Sequence, residues 1–217
     1  MEACIFDLDG VIVDTARFHF LAWKRLASKL GIELTEQYNE KLKGVSRLDS
    51  LNFILELKKI KLTEDEKMQL AEKKNARFVE YIHAMNPRDI YPGVPELLSE
   101  LKSVKIKVGL ASSSKNAHLV LAQLGISDQF EVIVDGTMIT HTKPHPEIFL
   151  KTAALLTTPP AKCLVIEDAA AGVAAAKAAG MSCIGIGEKS VLNQADLVVN
   201  NIAELSLTVL NQLMQHR

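Results

Sequence analysis

Ala3-Cys4-Ile5-Phe6-Asp7-Leu8-Asp9-Gly10-Val11 decides how this chain is read. Its first four residues are a continuous apolar run, which suits a strand covered on both faces, as in a parallel sheet flanked by helices. The run stops at a carboxylate, and a second carboxylate follows two residues later. On an extended segment such a pair points to the same side, so Asp7 and Asp9 can face one pocket. Further along, two similar runs stop in the same way. Val108-Gly109-Leu110-Ala111 ends at Ser112, and Cys163-Leu164-Val165-Ile166 ends at Glu167-Asp168. Residues 131–134, 183–186 and 196–199 are further strand candidates.

Helical patterns lie between these runs. Val94, Leu97, Leu98 and Leu101 share one helical face, and Pro95 suits a first turn. Residues 116–124 end at Gly125, a natural stop. Helices over 146–156 and 169–179 follow, the second ending at Gly180, and a last one is expected to start near Ala203. Strand and helix therefore alternate from about Tyr91 onward, the pattern of crossover connections. Residues 15–89 break the rhythm with helix after helix. Thr63-Glu64-Asp65-Glu66 is a capping-box start for a long helix reaching about Ala84. The expected fold is α/β. A Rossmann-like parallel-sheet core (1–14 and 90–217) carries a helical cap (15–89) inserted after the first strand.

With 217 residues, 48% hydrophobic and 24% charged, the chain can bury a core of ordinary size. Lys plus Arg number 25 and Asp plus Glu 26, giving a formal net charge of −1. That balance offers no footprint for nucleic acid or an anionic membrane, so a small anionic substrate would need a local cluster of cations. Cys4, Cys163 and Cys183 sit in or beside apolar runs without metal-ligand spacing, and read as buried, reduced thiols. No signal peptide and no run of membrane-spanning length is seen, so the expected location is the cytoplasm.

In an open parallel sheet, ligands bind beyond the carboxyl ends of the strands. Asp7, Ser112 and Glu167-Asp168 all stand at such ends, and Lys143 lies in the loop after 131–134. One of the paired carboxylates can attack while the other manages a proton. Asp168 adds further negative charge, and a cluster of this kind implies a hard cation such as Mg²⁺. Lys143 and the metal would offset the charge of an incoming phosphoryl group, and the Ser112 hydroxyl would hold its oxygens. Singly, each piece has a plainer meaning: Asp-x-Asp as a turn, Ser112 as a helix cap, Lys143 as surface, Glu167-Asp168 as a favourable helix start. Their ordered recurrence at strand exits points to Mg²⁺-dependent phosphoryl transfer.

Asp7-Leu8-Asp9-Gly10-Val11, Ser112, Lys143-Pro144, and Glu167-Asp168 with Gly172 resemble the four motifs of the haloacid dehalogenase superfamily, and the resemblance covers essentially the whole chain. It implies that Asp7 is the nucleophile and Asp9 the general acid/base, with Ser112 and Lys143 holding the transferring phosphoryl. Asp7, Asp168 and the Asp9 carbonyl would bind Mg²⁺, with Glu167 at the outer edge of the metal set. His19, Trp23, Leu42-Lys43-Gly44-Val45-Ser46-Arg47 and Lys74-Asn75, together with the loop Ser112-Ser113-Ser114-Lys115-Asn116, resemble the sugar-phosphate mutases of that superfamily. The implied activity interconverts β-glucose 1-phosphate and β-glucose 6-phosphate through a phosphorylated aspartate, with β-glucose 1,6-bisphosphate as intermediate and activator. Arg47, Ser114, Lys115 and Asn116 would hold the distal phosphate, with Gly44 and Val45 shaping the sugar pocket. Two positions depart from the pattern: Ala169 stands where many relatives carry Ser or Thr, and Ser113 where a small apolar residue is expected.

Read without that resemblance, Arg47 is an ordinary exposed arginine, Trp23 divides between core packing and a pocket role, and His19 is equally ambiguous. Lys73 belongs to a solvated helix face. His141 and His145 flank Lys143 without a zinc motif and have no assignment. Three rivals remain. A phosphatase of the same superfamily would use the same core with water as acceptor. A signalling receiver domain fits poorly, because its acceptor lies at an interior strand and it needs no cap. A non-catalytic sugar-phosphate sensor would not need the intact Asp7/Asp9 pair. The expected partner is a small sugar phosphate bound by a monomer.

Overall fold

The computed structural model describes residues 1–42 and 45–215; Gly44, expected to shape the sugar pocket, lies outside them. Six parallel strands form one sheet: β1 (Ala3–Phe6), β2 (Lys107–Ala111), β3 (Val132–Val134), β4 (Cys163–Glu167), β5 (Ser182–Ile186) and β6 (Leu197–Val199). Their order is β3-β2-β1-β4-β5-β6. The order reverses direction between β1 and β4, and that switch point is where an open α/β sheet leaves a crevice for ligands.

All four β1 residues are completely buried, as a strand with helices on both sides requires. Alternation then sorts the side chains. Cys4, Phe6, Leu110 and Ile166 join one apolar layer with α5 (Val94–Ser103) and α6 (Ala117–Leu124). Ala3, Ile5, Val165 and Cys183 join the opposite layer with α7 (Glu147–Leu155) and α8 (Ala170–Ala178). Each large apolar side chain so buried contributes about 1.5–3 kcal/mol, and this two-sided burial is what the uninterrupted apolar runs encode. At the end of α6, Gly125 adopts the left-handed conformation (φ 69°) that the stop signal required.

The final helix differs from expectation. Near Ala203 there is only a single 3₁₀ turn, Ile202–Glu204, capped by the Asn201 side chain accepting the Ala203 N–H. Leu205 is extended, and α9 spans Leu207–Gln215. The Asn201 cap closes this one turn only.

Residues between the first strand and Asp89 are helical: α1 (Ala16–Lys29), α2 (Glu36–Asn39), α3 (Arg47–Glu56) and α4 (Glu64–Ile82). α4 begins with the expected capping box: Thr63 Oγ1 accepts the Glu66 N–H at 3.3 Å, and Glu66 Oε2 accepts the Thr63 N–H at 2.8 Å. Trp23, Leu51, Ile54 and Ala71 form an apolar cluster of their own. The chain leaves and re-enters the sheet side by side, because Val13 bridges Ile90 and the Tyr91 N–H donates to the Ile12 carbonyl at 2.9 Å. No helix among the described residues is long and apolar enough to cross a membrane.

Candidate active site

Strand register builds the site. Phe6 pairs with Leu110 on one side and Ile166 on the other, so the next residues, Asp7, Ala111 and Glu167, stand level at the carboxyl edge. The Asp7 N–H donates to the Ile166 carbonyl at 2.9 Å, fixing the carboxylate at the switch point. Lys143 reaches in from the loop after β3. Its ammonium donates to Asp7 Oδ1 at 2.5 Å, to Glu167 Oε1 at 2.5 Å and to the Ala111 carbonyl at 3.3 Å, so all three protons have acceptors. Its side chain is fully enclosed. Burial works against the Lys143 charge, but the two carboxylates outweigh it and raise the ammonium's pKa. For Asp7, burial dominates and raises the carboxyl, with Lys143 opposing.

Glu167 serves this arrangement from behind. Its Oε1 is engaged by Lys143, and its Oε2 accepts the Ala169 N–H at 2.8 Å. Both oxygens are used by protein donors, which suits a place outside the direct ligands of a metal. Glu167 lies flat against the first turn of α8, where a Cβ on Gly172 would fall 1.7 Å from Oε1. Gly172→Ala is therefore expected to displace Glu167 and loosen Lys143, lowering stability by about 1–3 kcal/mol as over-packing does. Thermal unfolding of that variant measures it, and an unchanged midpoint would mean that α8 shifts at no cost.

Asp9 is half-buried, yet its Oδ1 is enclosed without a hydrogen-bond partner among the described groups. Burial pushes its carboxyl up to about 6, against the pull of Lys143 and Lys74. A group poised there can take and return a proton near neutral pH. Gly10 turns the chain at φ 81°, and a Cβ on it would lie 2.1 Å from Asp168 Oδ2. That close approach brings Asp168 against the Asp7–Asp9 segment. The Asp7 and Asp168 carboxylates, beside the Asp9 backbone carbonyl, offer hard oxygen donors of the kind that fits Mg²⁺.

The loop after β2 closes a second side. The Ser112 N–H donates to the Val134 carbonyl at 3.0 Å, and its Oγ accepts the Ser114 N–H at 3.1 Å. Across the crevice stands the helical segment. Lys74 is 2% exposed, with its ammonium 2.6 Å from His19 Nδ1 and over the rings of Trp23 and Phe78 at 4.9 and 4.7 Å. Burial lowers the pKa of both Lys74 and His19; the Arg47 charge adds to it for Lys74, and the Lys74 and Arg47 charges add to it for His19. Two polar contacts tie helices to core: the Asn116 side-chain amide donates to Asn75 Oδ1 at 2.7 Å, and the Thr142 hydroxyl to Asp49 Oδ2 at 3.4 Å.

A cavity opens between these walls. Asp7, Asp9, Asp168, Ser114 and Lys115 line it from the sheet side. His19, Trp23, Val45, Ser46, Arg47 and Lys74 line it from the helical side. Trp23 is both packed in the helical core and part of this wall. Ser112, Lys143, Glu167 and Asn116 are not on the wall; they stand behind it and hold its members. Asn39, Ser50 and Thr142 also line the cavity and were not singled out from the sequence. For Thr142 the adjacent Lys143 was a usable signal; the others carry none.

The haloacid dehalogenase-like hydrolase profile matches residues 1–180. The chain belongs to that family. Among curated proteins it is 47% identical to a β-phosphoglucomutase from Bacillus subtilis (strain 168), over 98% of this chain and 95% of that one. It is 34% identical to a phosphorylated carbohydrates phosphatase from Thermotoga maritima, over 99% of this chain and 100% of that one. Among solved structures, a β-phosphoglucomutase from Clostridium difficile superposes with a TM-score of 0.97 at 45% identity, covering 100% of this chain and 98% of the other.

Proposed function

We propose that this chain is a β-phosphoglucomutase, interconverting β-D-glucose 1-phosphate and β-D-glucose 6-phosphate. One observation carries the reading. The cavity holding Asp7, Asp9 and Asp168 also presents Arg47, Lys74 and Lys115, a second set of cations for a phosphate that is not being transferred. Hydrolysis of a monoester needs only the first set, whereas a mutase must grip its substrate by the far phosphate while a sugar hydroxyl attacks. The 47% identity to the B. subtilis mutase supports the same choice.

Asp7 receives the phosphoryl group on the oxygen that Lys143 does not engage, and Lys143 holds the other oxygen in place. The sugar hydroxyl attacks the phosphorus, the bond to Asp7 breaks, and Asp9 takes the hydroxyl proton. β-Glucose 1,6-bisphosphate results. With the bisphosphate reversed in the cavity, Asp7 attacks the other phosphorus and Asp9 returns the proton to the departing oxygen. Asp7, Asp168 and the Asp9 carbonyl would hold Mg²⁺, which would offset the negative charge of the phosphoryl oxygens. Ser112 orders the loop bearing Ser114 and Lys115, and Asn116 ties that loop to Asn75. Residues 15–89 act as a cap that hinges at the adjacent linkers, opening to exchange ligands and closing to exclude water. The described residues of one chain line the cavity, so the proposed working unit is a monomer, and its proposed location is the cytoplasm.

Arg47→Ala tests the assignment. The far-phosphate grip orients the substrate, and its loss should lower conversion of β-glucose 1-phosphate on the order of a hundredfold or more. Hydrolysis of acetyl phosphate, which lacks a distal group, should fall much less. Glucose 6-phosphate and free phosphate are measured together. Free phosphate as the main product of the parent protein would favour the phosphatase reading, which the T. maritima relative keeps open. Equal losses in both assays would move Arg47 to a structural role.

A further inference from the structure

His141 and His145 flank Lys143 in the sequence and are exposed, Glu147 follows them, and none of the three lines the cavity. Each offers a ligand atom, and the three atoms lie within 4.8 Å of one another. The Glu147 carboxylate is already anchored: Oε1 accepts the Thr140 N–H at 2.8 Å and Oε2 the His141 N–H at 2.7 Å. These two amides hold Glu147 ionised, far below the ordinary range. The His141 Nδ1 stands 2.9 Å from Glu147 Oε2, and the two imidazoles face each other with centroids 4.5 Å apart. His145 Nδ1 accepts the Glu147 N–H at 3.2 Å, a single long bond from which an exposed ring can turn.

We infer that His141, His145 and Glu147 bind a divalent transition-metal cation of the Zn²⁺ kind. Two imidazoles and one carboxylate form a three-ligand set that leaves a fourth tetrahedral position to water. With metal–ligand bonds of about 2.0–2.2 Å, tetrahedral ligand atoms sit roughly 3.3–3.6 Å apart. The site therefore closes by roughly an ångström, within the reach of two exposed rings turning toward a fixed carboxylate. Imidazole nitrogens suit Zn²⁺, Cu²⁺ and Ni²⁺, whereas Mg²⁺ prefers oxygen, so this site is chemically distinct from the oxygen-only one at Asp7 and Asp168. The cation would enclose residues 141–147 in a chelate loop and tie down both flanks of the segment bearing Thr142 and Lys143.

The test is Zn²⁺ titration of the full chain in saturating Mg²⁺, by calorimetry, beside His141→Ala and His145→Ala. One Zn²⁺ per chain should bind despite the Mg²⁺, with affinity at least tenfold weaker in each variant. Zn²⁺ should raise the unfolding temperature of the parent but not of the variants. Co²⁺ as a probe should give the intense visible bands of a tetrahedral nitrogen-ligated ion in the parent, absent from both variants. Zn²⁺ binding that Mg²⁺ abolishes, or that both variants retain in full, would assign the ion to the catalytic carboxylates and overturn the inference. No binding at all would overturn it equally.

Discussion

Asp7→Asn is expected to lose at least about ten-thousand-fold in turnover of β-glucose 1-phosphate, the scale seen when the attacking group of a covalent mechanism is removed. The amide matches the carboxylate in shape, and its oxygen can still accept from Lys143, but it cannot take up a phosphoryl group. The protein should nevertheless stay folded, for a reason visible in the electrostatics. Burial raises the Asp7 carboxyl above its ordinary range, so the folded state binds that proton more tightly than the unfolded chain. Stability from such a group is complete below the unfolded pKa and declines as pH climbs toward the raised one. Ionised Asp7 thus costs stability at neutral pH in metal-free buffer, and a neutral Asn removes that cost. Lys143 keeps Glu167 and the Ala111 carbonyl as partners. The variant should therefore unfold no earlier than the parent without divalent cation, while failing to incorporate labelled phosphate. Turnover within tenfold of the parent would exclude Asp7 as the nucleophile.

The strands were legible because parallel strands covered on both faces leave unbroken apolar runs, and each run ends abruptly where the chain meets the crevice. Phe6 followed by Asp7, and Ile166 followed by Glu167-Asp168, mark those ends without any knowledge of pairing. What the runs could not convey is depth. Glu167 and Asp168 are neighbours in sequence, yet the first faces inward to Lys143 while the second lines the cavity with Asp7 and Asp9. Strand alternation separates them only once the register is known. Gly172 illustrates the same point: its place in a motif was evident, but its use, leaving room for Glu167 against α8, depends on a contact between a strand end and a helix. The helical wall was harder still. Trp23 and Lys74 come from α1 and α4, 51 positions apart in the sequence, and only packing of those helices sets the ammonium over the indole. Asn39 reaches the cavity from the end of the short helix α2 and Ser50 from the first half of α3, and neither periodicity nor composition marks either as a binding residue. The last helix was placed too early, near Ala203, where the chain makes a single 3₁₀ turn before the helix over Leu207–Gln215 begins.

Lys143→Met should be the most destabilising of the substitutions considered. The methionine keeps an unbranched apolar stem, but it removes the cation shared by Asp7 and Glu167, which also lies over the Phe149 ring. Both carboxylates are then left in the interior with a donor missing, and breaking a buried pair in this way costs about 3–5 kcal/mol. For a chain of this size that corresponds to a fall of roughly 6–20 °C in the unfolding midpoint. Phosphoryl transfer should vanish with it, since the Asp7 oxygen engaged by Lys143 loses its hold. The pH dependence separates a charge effect from a packing effect. Without Lys143 to oppose burial, the folded-state pKa of Asp7 rises further. The folded variant then binds a proton that the unfolded chain releases, and its stability declines as pH rises. The deficit relative to the parent should accordingly be smallest near pH 5 and grow toward pH 8, measured by denaturant unfolding in metal-free buffer. A deficit that stays constant across that range would assign the loss to packing around Phe149, and the ion pairs with Asp7 and Glu167 would no longer account for why a lysine is buried at the centre of this site.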